Sequence, residues 1–497
     1  MTLACAATAL VVLASCAAPA PVAPEFAGDD ALGACRAVIG DIDRRIARAG
    51  VGDGQAARVP GFPYLRVNRL LAAPALRPSV DSPAFEAWVT RMRALDAEAR
   101  GFELANLGLH DADAPAQSHI EECADTLAAD EIADEGVRRR LLEAARVPDD
   151  YVVAARVLGL YPLTSVPFKI GVTELHDSFR DTFAVPLDRL PVRGSLARYV
   201  PPTDRPPVNR TEVRTLLRAM RRDPLGIPRP DAADAQRLLA AFAPIIEVDE
   251  VSDDDRIGAP IWDGAGVPSV DVGRPTVYTR ISHTRFRGEV LLQLNYVMWF
   301  PARTRDGAVD LLAGRLDGLT FRVTLDGDGR PIMHDSMHNC GCYHLFLPGS
   351  RLVQRPPPAR YEEPPLVIAL AESGAGRATL RLSHGSHYLQ RLRFTAAAPK
   401  LPEDITFALD DADTLRSLPL PVGGRRSLYA PDGIVLGTER AERWLFWPMG
   451  VASPGAMRQW GRHAIAFVGR RHFDDPDLIE RYFVPAPSDS AGARSTP

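Results

Sequence analysis

Between positions 334 and 344 the chain reads His334-Asp335-Ser336-Met337-His338-Asn339-Cys340-Gly341-Cys342-Tyr343-His344, its densest run of reactive side chains. Six of the eleven histidines (His283, His334, His338, His344, His384 and His387) fall in the same region as these two cysteines. Imidazole and thiolate are the donors that Zn, Cu or Fe select. The spacing limits that chemistry as well as suggesting it. His334, His338, Cys340, Cys342 and His344 share one parity, so a continuous strand would show them on one face. At about 3.3 Å per residue, however, His338 and His344 would stand about 20 Å apart. Ligands of one ion sit within about 4 Å of each other, because metal–ligand bonds are about 2.0–2.3 Å long. A single ion therefore requires Gly341 to bend the chain, so that Cys340 and Cys342 converge with one histidine while His384 or His387 arrives from a neighbouring strand.

Three arrangements fit the run. One is a Zn or Cu site drawn from His338, Cys340, Cys342, His344, His384 and His387. The second is a Cys340–Cys342 disulfide in a tight, easily reduced ring, capable of thiol–disulfide exchange. The third is packed histidines and small buried thiols around a turn. Elsewhere Ser383-His384-Gly385-Ser386-His387 places hydroxyl and imidazole together, but a catalytic triad is defined in space rather than by adjacency. The chain has no Gly-x-Ser-x-Gly elbow, phosphate-binding Gly-rich loop, dinucleotide fingerprint or His-Glu-x-x-His.

The elements that must position these residues follow from periodicity. The spacing predicts helices over 31–48 (Leu32, Cys35, Val38, Ile39, Ile42, Ile46), from Ser82-Pro83 onward (Phe85, Trp88, Val89, Met92, Leu95), over 116–127 and over 134–145. The serine of Ser82-Pro83 is the expected cap. Residues 148–250 are mixed and rich in proline. Tyr161 to Pro167 reads as an ordered connection, and helices are expected over 211–222 and 231–242. After residue 245 the period changes to that of strands: 276–282 and 289–299 are joined at Arg287-Gly288 as a hairpin, and 319–325 reads as a half-buried strand. Ser453-Pro454 should open a helix to about Val468, with Arg458, Trp460, Arg462 and His463 on it, and Asp475-Pro476 a last one. The expected class is α+β: a helical N-terminal half, an antiparallel β-rich domain and a short helical C-terminus. The expected segments are 31–147 helical, 148–250 mixed, 251–400 β-rich and 401–497 helical.

The N-terminus points to a compartment. An apolar run, Ala9-Leu10-Val11-Val12-Leu13, leads into Leu13-Ala14-Ser15-Cys16 and then an Ala/Pro tract to Pro24. The run is shorter than the roughly 20 apolar residues of a spanning helix and has the form of a secretory signal. Leu13-Ala14-Ser15-Cys16 resembles the bacterial lipobox. That resemblance, confined to about the first 24 residues, implies cleavage after residue 15 and lipidation of Cys16. It also implies a tether over 16–30 that anchors the body to a membrane, and Ala17 after the cysteine implies outer-membrane sorting, with the protein facing the periplasm. Cys5 would leave with the signal. Cys35, Cys123, Cys340 and Cys342 then remain, an even number in an oxidising compartment, and Cys35 with Cys123 is a candidate disulfide.

Composition narrows the partners. A formal charge of -5 with 24% charged residues gives no basic surface for nucleic acid. All basic residues except Lys169 and Lys400 are arginine and are spread along the chain rather than clustered. The expectation is an envelope lipoprotein with a transition-metal Cys/His site. Its competitors are a non-enzymatic assembly or binding protein with structural cysteines, and a thiol–disulfide exchanger.

Overall fold

The computed structural model describes residues 31–108, 114–202, 210–356, 362–370, 376–395 and 401–487. Cys5 and Cys16 lie outside the described residues. The chain is α+β, with helices mainly in the N-terminal half and antiparallel-rich sheets after it.

The N-terminal helices Ala31–Ala49, Pro83–Asn106, Ala114–Glu131 and Glu135–Ala144 form where the apolar period placed them. Asp134 caps the last of these, accepting the Val137 N–H. Ser82 occupies the cap position of the second helix, but its hydroxyl donates to the Ser79 carbonyl instead. The helices enclose a core around Phe85, Trp88, Met92 and Leu127, which also takes in Ile227 and Val290. Cys35 and Cys123 are bonded, tying the first helix to the third. Arg66 is fully buried, and its charge is matched by Asp96 (3.2 Å) and Glu103 (2.7 Å).

The rest is built on two sheets. The larger has seven strands in the order 366–367, 345–348, 331–338, 314–325, 289–303, 276–286 and 408–411, antiparallel except at its two edges. The smaller has five, in the order 389–395, 377–382, 245–250, 195–200 and 405–406. The smaller sheet thus takes strands from both sides of the expected boundaries at 250 and 400, and the larger takes 408–411 from beyond 400. Even-numbered residues of Glu289–Arg303 (Leu294, Tyr296, Met298) and odd-numbered residues of Gly314–Leu325 (Leu319, Phe321, Val323) meet Ile246, Val248, Leu380 and Leu382 of the smaller sheet. Such alternate side chains facing inward from two sheets make a sandwich core.

The outer face of the larger sheet is covered too. The irregular C-terminal layer lays Phe473, Ile479 and Phe483 against Met333 and Met337, and Met457 and Val435 against Trp299 and Leu316. Thr320, Arg322 and Thr324, expected to face solvent, are therefore buried. Two helix expectations also change. Tyr161–Ala184 is a 24-residue helix rather than a connection: Pro162 sits in its first turn, where a missing N–H costs nothing, and Pro167 is accommodated inside it. No helix runs from Ser453 to Val468, because Gly455 and Gly461 adopt φ of 80° and 83°, which a helix cannot contain. Its apolar residues pack from turns. The last helix is a short one, Leu478–Tyr482.

Candidate functional site

The reactive run is a hairpin and its turn. Pro331–His338 goes out, residues 339–344 turn, and Leu345–Pro348 returns, with Ser336 opposite Leu345. The His338 N–H bonds the Cys342 carbonyl at 3.0 Å, and the Gly341 N–H bonds the His338 carbonyl at 2.7 Å. Gly341 has φ +94°, and a Cβ there would fall 2.6 Å from the Ala464 carbonyl oxygen, so only glycine fits. Asn339 locks the turn to the sheet: its amide donates to the Met298 carbonyl (3.0 Å) and its oxygen accepts from the Thr320 hydroxyl (2.8 Å). From the C-terminal layer, Arg458 donates through its backbone N–H to the Asn339 carbonyl and through Nε to that of Cys340 (3.1 Å).

This turn separates the predicted ligands. His338 points into the sandwich, where its Nδ1 is 3.6 Å from Asp317 and its ring abuts Tyr343 and Tyr388. His344 lies on the opposite face, its Nε2 2.9 Å from Asp335 and its ring against Phe346 and Phe473. Asp335 is held in turn by the buried guanidinium of Arg322, which also donates to the Phe473 carbonyl at 2.7 Å. His387 joins the inner group: its Nδ1 is 2.8 Å from Asp317 and its Nε2 3.4 Å from Asp255, with Phe300 stacked 3.8 Å away. His384 pairs separately with Asp249 at 3.1 Å. His334 is packed between the rings of Phe321 and Phe394. Among the described residues no group of three or more His, Cys, Asp or Glu side chains is placed to hold a metal ion. Cys340 and Cys342 are both free thiols, the first buried and the second half-buried.

Burial and pairing pull the groups of the inner cluster in different directions. Burial alone would lower the pKa of His387, but its bonds to Asp255 and Asp317 outweigh that and raise it. Burial would likewise raise Asp255 and Asp317, yet the imidazoles hold both below the ordinary range, Asp255 at about 2. The result is an internal chain of close contacts, Asp255–His387–Asp317, with His338 at its end. His387 itself (φ +50°) and the neighbouring Tyr343 (φ +60°) adopt left-handed backbone, a strain of about 1–3 kcal/mol each that gathers at functional sites.

Beside this cluster lies a cavity of about 560 Å³. Helix Tyr161–Ala184 forms one wall through Phe168, Val172, Leu175 and Phe179. Leu366, Leu445, Ile465 and Phe467 make most of the rest. Its polar lining is small: Cys342, Tyr343, Tyr388, Glu442, His176, His344 and the Glu363–Arg471 pair. Arg303 backs the tyrosines, donating to the Tyr388 hydroxyl at 3.1 Å and lying over both rings. Burial raises Glu442 to about 7 against the opposing pull of Arg303 and Arg440. His176 and His344 each carry a buried Nδ1 without a hydrogen-bond partner, and burial lowers both to about 4. An apolar chamber with a few converging polar groups and a carboxyl poised near neutrality is the form of a small-molecule site.

Sequence reasoning located Cys342, Tyr343 and His344 but not Glu442, His176 or Tyr388, which come from segments far apart in the chain. The fold and site together define an α+β protein, a two-sheet sandwich with an apolar cavity at one end. Comparison with family models, with curated proteins and with solved structures finds no match.

Proposed function

We propose that this chain is a cell-envelope lipoprotein, anchored to a membrane through Cys16, that binds an apolar or amphipathic small molecule of the lipid class. The observation that carries the binding reading is the cavity: about 560 Å³, predominantly apolar, and lined by His176 and His344 with unpartnered ring nitrogens. A buried polar atom left unpaired costs about 1–3 kcal/mol, and a ligand head group that hydrogen-bonds to it recovers that energy. The apolar walls would take an acyl chain or comparable tail. The cavity is within the size range of ordinary ligand pockets. The support for the anchor is Leu13-Ala14-Ser15-Cys16 with its preceding apolar run. The Zn or Cu reading needs Cys340 and Cys342 to converge with one histidine of the run and with His384 or His387, and among the described residues no three such side chains are grouped to hold an ion.

Extraction of purified protein with organic solvent, followed by mass spectrometry, tests the binding reading. Recovery of a stoichiometric lipid is expected, and Val172→Trp, which fills the cavity, should abolish it while leaving the melting temperature within a few degrees. No recovered lipid together with no uptake of a fluorescent fatty acid would refute it. Metal analysis of the same preparation should show no stoichiometric Zn or Cu. Palmitate labelling of the cell-expressed protein tests the anchor: a Cys16→Ala variant that still takes up label would overturn it.

A further inference from the structure

From Val152 to Gly171 the chain has two charged residues, Arg156 and Lys169. Arg156 is buried, its guanidinium donating to the carbonyls of Met449 (2.8 Å) and Gly469 (2.7 Å) and lying on the rings of Tyr151 and Tyr161. Lys169 is half-buried and engaged. What the segment shows to solvent is apolar. Val157, Leu158, Leu160, Leu163, Val166 and Ile170 are between 57% and 71% exposed. The polarity changes abruptly one turn later, where Glu174, Asp177, Arg180 and Asp181 are exposed. Single exposed apolar residues are ordinary, but a contiguous set this size marks an interaction surface.

The surface extends onto a second segment. Gly159 sits so close to Pro448 that a Cβ would lie 2.5 Å from the proline Cβ, which seats the helix Val153–Leu158 on residues 447–449. Beside that contact Trp444 is 74% exposed, Leu445 56% and Trp447 42%. Two exposed tryptophans at the border of an aliphatic face are the arrangement found where a protein meets the head-group layer of a membrane. Among the described residues no helix is long and apolar enough to cross a membrane, so such a face would lie on a bilayer. Leu445 and Pro167, both exposed, also line the cavity, so its rim belongs to this face.

We propose that the face built from 152–171 and 444–447 docks onto the acyl boundary of a phospholipid bilayer. The bilayer is favoured over a protein partner because the face offers no exposed charge along 152–171 for a partner to pair with, and because tryptophan borders it. The chain from Cys16 to Ala31 reaches at most about 50 Å. That is about the diameter of a body of this size, so an anchored protein can turn this face to its own membrane. Only that last step rests on the lipoprotein reading; docking itself needs neither lipid anchor nor occupied cavity. If the cavity is filled as proposed, its ligand would enter directly from the leaflet.

A chain beginning at Ala17 keeps every described residue and lacks both the apolar leader and Cys16. It should co-sediment with vesicles of phosphatidylethanolamine and phosphatidylglycerol. Leu163→Asp with Ile170→Asp should weaken that partition about tenfold or more at an unchanged melting temperature, since both side chains project into solvent. A wild-type chain that stays in the supernatant, or a double variant that binds undiminished, would overturn the proposal. A soluble dimer dissociated by the same substitutions, without vesicle uptake, would do so too, by assigning the face to a second copy of the chain. Vesicle binding that persists while palmitate labelling fails would separate this face from the tether and leave docking standing.

Discussion

Acid should unfold this protein through its buried histidines. Burial pushes His283, His334 and His344 down to about 4 and His463 to about 3, and His176, flanked by Arg180 and Arg471 as well, to about 4. In the unfolded chain each returns to about 6.5. A histidine lowered by folding favours the native state above its unfolded pKa, and that support is lost as pH falls from about 6.5 toward 4, because the unfolded chain then binds the extra protons. At pH 5.5 each of the five takes up about 0.9 proton on unfolding. Glu442 works the other way. Raised to about 7 by burial, it keeps a proton in the fold that the unfolded chain has mostly released, and Glu98, Glu250, Glu363 and Asp475 are raised in the same direction. The five histidines and Glu442 alone leave a net uptake of about 3.5 protons at pH 5.5, about 5 kcal/mol per pH unit, which the other raised carboxyls reduce. Total stability is of the order of 5–15 kcal/mol, so the fold should fail between about pH 6 and 4.

Urea unfolding followed by intrinsic fluorescence at a series of pH values measures that slope directly. His334 isolates one term, since it is packed between Phe321 and Phe394 and its Nδ1 has no partner. His334→Leu should reduce the slope by about 1 kcal/mol per pH unit while keeping stability at pH 8 within about 2 kcal/mol. His387 supplies the opposite sign. Its pKa is raised in the fold, so its contribution is fully present below about 6.5 and is lost as pH rises through its folded value. His387→Asn should therefore cost more at pH 6 than at pH 9. A free energy flat from pH 7 to 5, or an unchanged slope in His334→Leu, would refute the reasoning.

Three further outcomes follow from the same contacts. The Cys35–Cys123 bond closes a loop of 88 residues, so reducing it should cost up to about 4–5 kcal/mol, visible as a lower melting temperature in dithiothreitol that Cys35→Ser with Cys123→Ser reproduces. Asp335→Ala leaves Arg322 buried without its carboxylate and removes the partner of His344; a loss of about 3–5 kcal/mol is expected in denaturant titration. Binding of an uncharged apolar probe in the cavity should weaken as pH rises through about 7 and Glu442 ionises, and Glu442→Gln should flatten that profile in a fluorescence titration.

Much of the architecture was legible because it rests on local chemistry. Arg287 (φ 55°) and Gly288 (φ 80°) both take the left-handed backbone that a two-residue hairpin turn demands, so the pairing of 276–286 with 289–303 could be read from the chain. The helix Tyr161–Ala184 was hidden by Pro162 and Pro167, whose costs depend on where a helix starts, and the missing helix after Ser453 by glycines whose φ only the tertiary context sets. Half-buried character was misread for Thr320, Arg322 and Thr324 because the layer covering them comes from residues 434–483, with no alternation of its own to announce it.

Parity explains how the histidines of the cluster are divided. In the hairpin, Ser336 faces Leu345, so an even-numbered residue of the outgoing strand shares its sheet face with an odd-numbered one of the return. His338 and His344, both even, must therefore part, and each finds a different aspartate. The same turn bears on the chemistry of Cys340 and Cys342. Thiol–disulfide exchange needs an accessible thiolate, but Cys342 is raised well above the ordinary thiol range, by its hydrogen bond to Cys340, by burial and by the nearby Glu442 carboxyl. Iodoacetamide at neutral pH should label the native protein at Cys342 at least about tenfold more slowly than a free cysteine, since a pKa one unit higher leaves a tenth of the thiolate. The unfolded protein should react at the ordinary rate. Native labelling as fast as that of a free thiol would restore the exchange chemistry and would remove the argument that these two cysteines serve the turn and the wall of the cavity.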